Sequence, residues 1–340
     1  MMSSPAGAPE TGTPETGTSG AGASSTVRVQ VCLLTYKRAE LLRSALKSLL
    51  EQTAAESSPI LMHILVVDND EAMSGRAVFD EALGHATRQG AIPCRYVSEP
   101  SRGLSAARNR ALDESGGMDY VAFLDDDEVA ERDWLKRLLD ASERFDADVT
   151  TGPVWPLYVG TPAWIVRGGF FSARQRATGA SVDFVATNNV LLRGKVAASF
   201  RFDGRFDATG GEDTEFFMRI KRAGYRMVWA NEALVSECIP PSRANAAWLL
   251  SRARSDANRY TRSCLSLDSS VSTVIGRLVI ASGGFLAGMA LLPFGIFGRQ
   301  YAVRALQYMW RAAGTISALR GGRQIYYEAS GVPAAEPHHG

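Results

Sequence analysis

Tyr120-Val121-Ala122-Phe123-Leu124-Asp125-Asp126-Asp127-Glu128 changes character within one step, from a run apolar enough for a buried strand to four consecutive acids. A short apolar run of this kind, bounded by polar residues, fits a strand covered on both faces. Three adjacent aspartates repel one another unless a cation or solvent compensates them. A divalent ion is the sharper reading, because hard carboxylate oxygens suit Mg²⁺ or Mn²⁺. An ion held by few carboxylates keeps positions open for phosphate oxygens and eases departure of a diphosphate. The plainer alternative is a solvated turn whose aspartate caps a helix starting near Trp134.

Outward from this stretch, strands and helices alternate. Val27 to Thr35 and Met62 to Val67 read as strands, Ala39 to Gln52 as an amphipathic helix and Ser105 to Glu114 as another. Trp134 to Phe145 reads as a helix, Val149 to Thr151 as a short strand, and Val182 to Leu192 as a strand carrying Asn188 and Asn189. Such alternation specifies an α/β fold, a parallel sheet covered by helices. Open sheets of this class bind ligands at the carboxyl ends of their strands. Two more polar sequences fall there: Thr35-Tyr36-Lys37-Arg38 and Asp68-Asn69-Asp70. A carboxylate at such an edge, Asp68 or Asp70, can accept from a base or ribose, whereas two turn acids would merely stay solvated.

Gly210-Gly211-Glu212-Asp213-Thr214-Glu215 opens a further helix, running through Phe216, Phe217 and Ile220 to Gly224. The glycines let the backbone bend tightly, and the helix N-terminus stabilises anions. An ionised carboxylate there can take a proton from an attacking hydroxyl; taken alone, the motif is equally an ordinary capped first turn. Ser101-Arg102-Gly103-Leu104-Ser105-Ala106-Ala107-Arg108-Asn109 is a glycine turn entering a helix. Arg102 or Arg108 can contact phosphate or anchor the acids, and Arg108 equally fits as a buried partner of an acid.

Composition narrows the chemistry. The 340 residues carry 37 basic and 36 acidic side chains, so no broad basic field points to nucleic acid. Cys32, Cys94, Cys238 and Cys264 are scattered without a CxxC pair, which fits a reducing, cytosolic setting rather than a disulfide framework or zinc site. Histidine is confined to His63, His85, His338 and His339, leaving carboxylates to do the chemistry. Residues 1–26 are rich in Ala, Gly, Ser, Thr and Pro, with a tandem PETGT repeat. They read as a disordered tail with neither the basic start nor the apolar run of a secretory signal.

Taken in order, these segments resemble glycosyltransferase family 2, the inverting nucleotide-sugar transferases with the GT-A fold, over residues 27–260. The branch it resembles builds bacterial exopolysaccharide or cell-surface polysaccharide. The resemblance implies that Thr35, Tyr36 and Arg38 flank the nucleotide, that Asp68, with Asp70, meets the nucleoside, and that Gly103, Arg108 and Asn109 belong to the donor site. It implies that Asp125 and Asp127 form the DxD, with Asp127 the direct metal ligand, and that Glu212 and Asp213 are the catalytic pair, Asp213 the base. Inversion, giving a β-linkage from an α-configured donor, is implied in the same way. Two positions depart from the pattern. Lys37 stands where the family commonly has Asn, and Val235-Ser236-Glu237-Cys238-Ile239-Pro240 lacks the histidine ligand many members carry. A carboxylate can replace imidazole for a hard ion, so Glu237 is the expected third ligand. Arg252 and Arg254, beyond Pro240-Pro241, are expected to face the donor diphosphate.

Ser269 to Tyr327 contains six arginines and no acid, leaving the rest of the chain at net −5. Leu278 to Gly298 is uncharged over 21 residues, close to the ~20 needed to span a bilayer. A single span would place the following arginines opposite the cytosolic enzyme, against the positive-inside bias. A re-entrant or interfacial segment is therefore expected, with Val303, Leu306, Trp310, Ala313 and Ile316 on one face of the next helix and arginines offering phosphate contacts. The alternative is a glycine-packed helix pair within the core or an oligomer interface.

The expected organisation is a disordered tail over 1–26, a GT-A domain over 27–265, a helical membrane-associated segment over 266–327 and a second tail over 328–340. The expected activity is transfer of a sugar from a nucleotide-sugar, UDP-linked, to a hydroxyl of a saccharide or polyprenyl-linked acceptor at the cytoplasmic face of the membrane, or in the cytoplasm. Trp155 to Ala180 would shape the acceptor side. The rivals are a sugar nucleotidyltransferase, which would want a glycine-rich loop where Thr35 to Arg38 has none, and a non-catalytic saccharide-binding protein on the same fold.

Overall fold

The computed structural model describes residues 26–53, 60–86 and 92–323; the expected tails over 1–25 and 328–340 lie outside them. Its strands are β1 (Val27–Thr35), β2 (Ile60–Asp68), β3 (Cys94–Ser98), β4 (Tyr120–Asp125), β5 (Glu128–Ala130), β6 (Val149–Thr151), β7 (Val154–Tyr158), β8 (Asn189–Arg193), β9 (Met227–Trp229) and β10 (Val235–Ile239). Its helices are α1 (Ala39–Leu50), α2 (Arg76–Ala86), α3 (Leu104–Asp113), α4 (Trp134–Arg144), α5 (Ala163–Gly168), α6 (Gly194–Ser199), α7 (Glu212–Arg222), α8 (Ala246–Leu267), α9 (Val271–Leu291) and α10 (Arg299–Leu319).

The main sheet has the order β3-β2-β1-β4-β8-β6-β9. β1 is parallel to both β2 and β4, so the chain builds outward to β3 and then crosses back over β1. That reversal is the switch point at which such sheets open a ligand crevice. Register places the polar strand ends side by side: Thr35 pairs with Asp68, and Leu34 with Asp125. Val29, Val31, Leu33 and Ala122 face one apolar layer with Leu42, Leu46, Trp134 and Leu138. Cys32, Val121 and Phe123 face the other with Ala107, Phe216, Phe217 and Ile220. A large apolar side chain buried in either layer contributes about 1.5–3 kcal/mol, which fixes the strand ends that the loops extend.

The expected strand from Val182 is shorter, covering only Asn189–Arg193. β8 pairs antiparallel with β4, and the ladder ends at Leu124 opposite Asn189, one residue before β4 ends. A second, three-stranded sheet, β5-β10-β7, was not anticipated.

α8 runs unbroken across the expected boundary at residue 265. α10 docks along it: Gln307 Nε2 donates to Leu249 O at 3.3 Å, Asn258 Nδ2 to Gly314 O at 3.3 Å, and Thr261 Oγ1 to Thr315 Oγ1 at 3.4 Å. Any side chain at Gly314 would run into the Arg254 backbone. The docked face is therefore Val303, Ala305, Gln307, Ala312, Gly314, Thr315 and Ala318. Of the apolar face expected on this helix, only Val303 is buried, while Trp310, Ala313 and Ile316 are exposed. Small residues allow close helix approach, so they take the packed side and leave the large ones outside. α9 packs on α10 through Gly288, which lies against Ala305 and Met309. The span Val271–Phe297 is long and apolar enough to cross a membrane, and only 11% of its most apolar window is buried.

Candidate active site

The crevice begins with Thr35, whose Oγ1 donates to Asp126 Oδ2 at 2.8 Å across the switch point. Arg38 reaches Asp126 at 3.3 Å and Asp127 at 3.5 Å. Tyr36 lies under the Arg102 guanidinium, 4.1 Å from its ring centre. Asp126 is buried, which pushes its pKa up to about 6 against the pull of Arg38 and Thr35. Asp125 is pushed up to about 7 by burial and by Asp127, with Arg108 opposing.

Behind them Glu128 is buried and raised well above the usual carboxylate range by burial, then by Asp125 and Asp127. Its carboxylate accepts from Asn188 Nδ2 at 2.8 Å. Across the small sheet Glu128 stands directly opposite Glu237, and like charges so paired destabilise a ladder. Burial and Asp127 raise Glu237 as well. Arg243 joins the two acidic segments, at 2.5 Å from Glu237 and 3.7 Å from Asp127. Among the described residues no three metal-ligating side chains converge on one point as they stand. The donor set nevertheless fits a hard divalent ion: Asp125, Asp127 and Glu237 are all oxygen donors in one over-acidic cluster. Glu237 would join an ion only when its pair with Arg243 opens.

Glu212 and Asp213 stand in different surroundings. Glu212 is 4% exposed and clasped by the buried Arg108, whose position in α3 makes it the buried partner of a glutamate. Asp213 is half-buried at the crevice, its Oδ1 accepting from Thr214 N at 2.6 Å. Burial and the Glu212 charge raise its pKa, with Arg108 and the Thr214 N–H opposing. Gly210 and Gly211, both at positive φ, lie against the Arg259 side chain, and Ser263 Oγ donates to Gly211 O at 3.3 Å. Helix α8 thus supports the turn that presents Asp213. Sequence reasoning missed Arg259 and Arg243, whose only signal was charge beside α8.

Several expected donor-site residues prove to be ties between loops. Asn109 donates to Phe202 O at 2.9 Å and accepts from Phe202 N at 2.7 Å, which occupies its amide with backbone. Gly103 leaves room for the Asp207 carboxylate, which accepts from Ser105 N at 2.7 Å. Both residues bind α3 to the segment before α7. Asp68 is fully buried, accepting from Asp70 N at 2.9 Å, Gly75 N at 2.8 Å and Tyr96 Oη at 2.5 Å. It holds the loop on which Asp70, itself largely buried, sits. Asn69, not anticipated, ties that loop to Glu99 O and Ser101 O at 2.8 and 2.7 Å.

Arg252 pairs with Asp256 at 3.0 Å, and its charge opposes the raised pKa of Glu237. Arg254 differs: its backbone packs on Gly314 of α10, and among the described residues no contact links its side chain to the acids. Two arginines expected to offer phosphate contacts are also engaged. Arg304 donates to Gly168 O at 2.6 Å, and Arg299 lies 4.8 Å over the Trp164 ring, fastening α10 to α5.

Comparison with known proteins agrees with this arrangement. The model of glycosyl transferase family 2 matches residues 30–200, and that of glycosyl transferase family group 2 matches 120–316. Succinoglycan biosynthesis protein ExoM of Rhizobium meliloti (strain 1021) is 33% identical over 319 residues, covering 92% of this chain and 99% of that one. Glucosyl-dolichyl phosphate glucuronosyltransferase of Haloferax volcanii is 30% identical over 147 residues, 42% of this chain and 40% of that one. Among solved structures, mannosyltransferase PcManGT from Pyrobaculum calidifontis, in complex with GDP-Man and Mn²⁺, has a TM-score of 0.55 at 17% identity, covering 87% of this chain and 88% of that one. That likeness bears on the fold.

Proposed function

The chain belongs to glycosyl transferase family 2 and is a transferase of the glycosyltransferase class; from that premise we propose that it moves a sugar from a UDP-linked donor to an acceptor hydroxyl in polysaccharide synthesis, with Asp213 as base. The observation supporting this reading is that Thr35, Asp68 and Asp125 end adjacent parallel strands at the sheet's switch point, and that the buried Arg108 feels the charges of Glu212, Asp213 and Asp125 together. The match to a succinoglycan biosynthesis protein over nearly its whole length supports the polysaccharide setting.

The nucleoside would lie along Tyr36 and the Asp68–Asp70 loop, and the diphosphate near Arg38 and the Asp125–Asp127 turn. Asp125, Asp127 and Glu237 would hold Mn²⁺ or Mg²⁺. When bound, such an ion offsets the charge of the departing diphosphate. The acceptor oxygen attacks the anomeric carbon, the bond from that carbon to the phosphate oxygen breaks, and the nucleoside diphosphate leaves. The hydroxyl proton passes to Asp213, whose ionised form is the competent one. Glu212 acts as a positioning residue, holding Arg108 beneath the base. Attack opposite the leaving group inverts the sugar.

The acceptor is a saccharide carried on a polyprenyl-type lipid. The exposed apolar α9 supports this, and so does the partial match to a protein whose name describes a glucosyl-dolichyl phosphate acceptor. Because α10 is fixed lengthwise to α8 and α9 lies on α10, α9 lies along the membrane surface; a crossing would drag the charged α8 with it. The enzyme would then work at the cytoplasmic face. The test is consumption of a panel of nucleotide-sugars with Mn²⁺, Mg²⁺ or chelator. Metal-dependent release of one nucleoside diphosphate is expected, and no metal-dependent turnover of any donor would defeat the reading. Release of pyrophosphate from a nucleoside triphosphate would instead support a nucleotidyltransferase.

A further inference from the structure

A cleft of about 420 Å³ opens on the far side of the turn that carries Asp213, between α8, the end of α10 and the 3₁₀ turn Gly204–Phe206. Its lining includes Arg205, Phe206, Arg262, Ser266 and Arg323. Asp203 accepts from Arg205 with both its oxygens, at 2.5 to 3.1 Å. Among the described residues neither Arg262 nor Arg323 has an ion-pair partner. Arg262 Nη1 is buried and, among the described residues, has no hydrogen-bond partner. Its guanidinium sits 5.4 Å over the Phe206 ring, and both side chains line the cleft. Burial and the neighbouring Arg323 charge hold its pKa down, as expected for two cations facing each other without an anion.

The chemistry that satisfies this arrangement is a tetrahedral oxyanion with several acceptor oxygens. Paired guanidinium forks match phosphate in both charge and geometry. The place is equally informative. Ser266 and Leu265 lie in the last turn of α8, just before the exposed apolar helix α9 begins at Val271. The next residue along from Arg262, Ser263, is the one that donates to Gly211 O, and Phe206 O accepts from Gly210 N at 2.7 Å. The cleft therefore sits at the root of α9 and shares its floor with the turn presenting Asp213.

We propose that the Arg262–Arg323 cleft is a phosphate-binding site that takes the phosphate ester of a lipid headgroup lying against α9. The cleft's chemistry stands on its own residues, and only the source of the phosphate rests on the membrane reading given above. Occupation would anchor a phospholipid beside the catalytic turn.

The test uses the full chain, with glycerol 3-phosphate as the soluble probe. Vesicles of a neutral galactosyl diacylglycerol, which carries no phosphate, doped with phosphatidate or, as an anionic control, with oleate serve as the membrane probe. Arg323→Gln alters an exposed residue with no described hydrogen bond or ion pair, so it reports on the cleft without disturbing the fold; Arg262→Gln is its half-buried counterpart. Wild type is expected to bind glycerol 3-phosphate and to prefer phosphatidate over oleate vesicles by about tenfold, the worth of one charge-assisted hydrogen bond. Each variant should lose both properties while still binding vesicles. Leu286→Glu on α9 should lose vesicle binding and keep glycerol 3-phosphate. If wild type binds glycerol 3-phosphate but shows no vesicle preference, the site stands and its ligand is a free phosphate ester, which overturns the lipid source. Equal affinity for both vesicle types with no binding of glycerol 3-phosphate, or a preference that survives both substitutions, overturns the site itself.

Discussion

Glu212 and Asp213 are adjacent in sequence, yet one is buried and paired with Arg108 while the other is only half-buried. Asp213→Asn is therefore expected to lower kcat by about 10²- to 10⁴-fold, the usual worth of a positioned base, with donor affinity unchanged by titration. Arg108→Gln leaves Glu212 as an unpaired buried charge and should cost about 3–5 kcal/mol in urea unfolding. The pH profile carries its own sign. Burial and Glu212 favour protonated Asp213, so the active, ionised form is lost as pH falls through a pKa above the ordinary aspartate value. Glu212→Gln removes the raising charge, so the acid limb of kcat/KM should move to lower pH. The acids themselves were legible in the sequence because clustered carboxylates at strand and helix ends are conspicuous. Which acid is accessible was not, since it depends on Arg108 reaching across from α3. Lys37 shows the reverse. It stands at φ 54°, a left-handed conformation that Asn tolerates better than Lys, which gives a physical reason for the family's usual residue at this position.

Among the elements, β1, β2 and β4 were readable because their periods and apolar runs are long, and the register of their ends followed from parallel pairing. The β5-β10-β7 sheet was not, because its strands have only three to five residues and pair over long sequence distances. That sheet is what sets Glu237 opposite Glu128 and near Asp127. Position along the chain pointed to Glu237, whereas Arg243 beside it could be found only in three dimensions. The loop contacts of Gly103 and Asn109 were not legible for a related reason: a glycine turn with polar residues looks alike in sequence whether it holds a phosphate or the next loop. The docking of α10 on α8 depends on its small face. Gly314→Leu should lower stability by about 1–3 kcal/mol through overpacking, visible as a lower Tm, because the Arg254 backbone leaves no room for a side chain.

For the molecule as a whole, two apolar cores hold the sheet and a third, around Ile165, Ile239, Leu249 and Val303, joins α5, β10, α8 and α10. α9 is the exception, with Ile275, Val279, Ile280, Phe285 and Leu286 all exposed. The sequence showed that this segment was apolar; its lengthwise seat on α10, which argues for a surface-lying helix, required the packing. Ile280→Glu with Leu286→Glu should move the protein from the membrane to the soluble fraction with little change in Tm, since neither side chain is buried. Removing everything after Leu267 would be a poorer test, because it also strips α10 from α8. The catalytic reading meets its sharpest trial in a single-turnover reaction with the donor that the nucleotide-sugar panel selects, comparing wild type with Asp213→Asn at saturating Mn²⁺. Both proteins should bind the donor equally, with the variant releasing nucleoside diphosphate at about one hundredth of the wild-type rate or less. Release by Asp213→Asn at the wild-type rate would show that the proton leaves by another route.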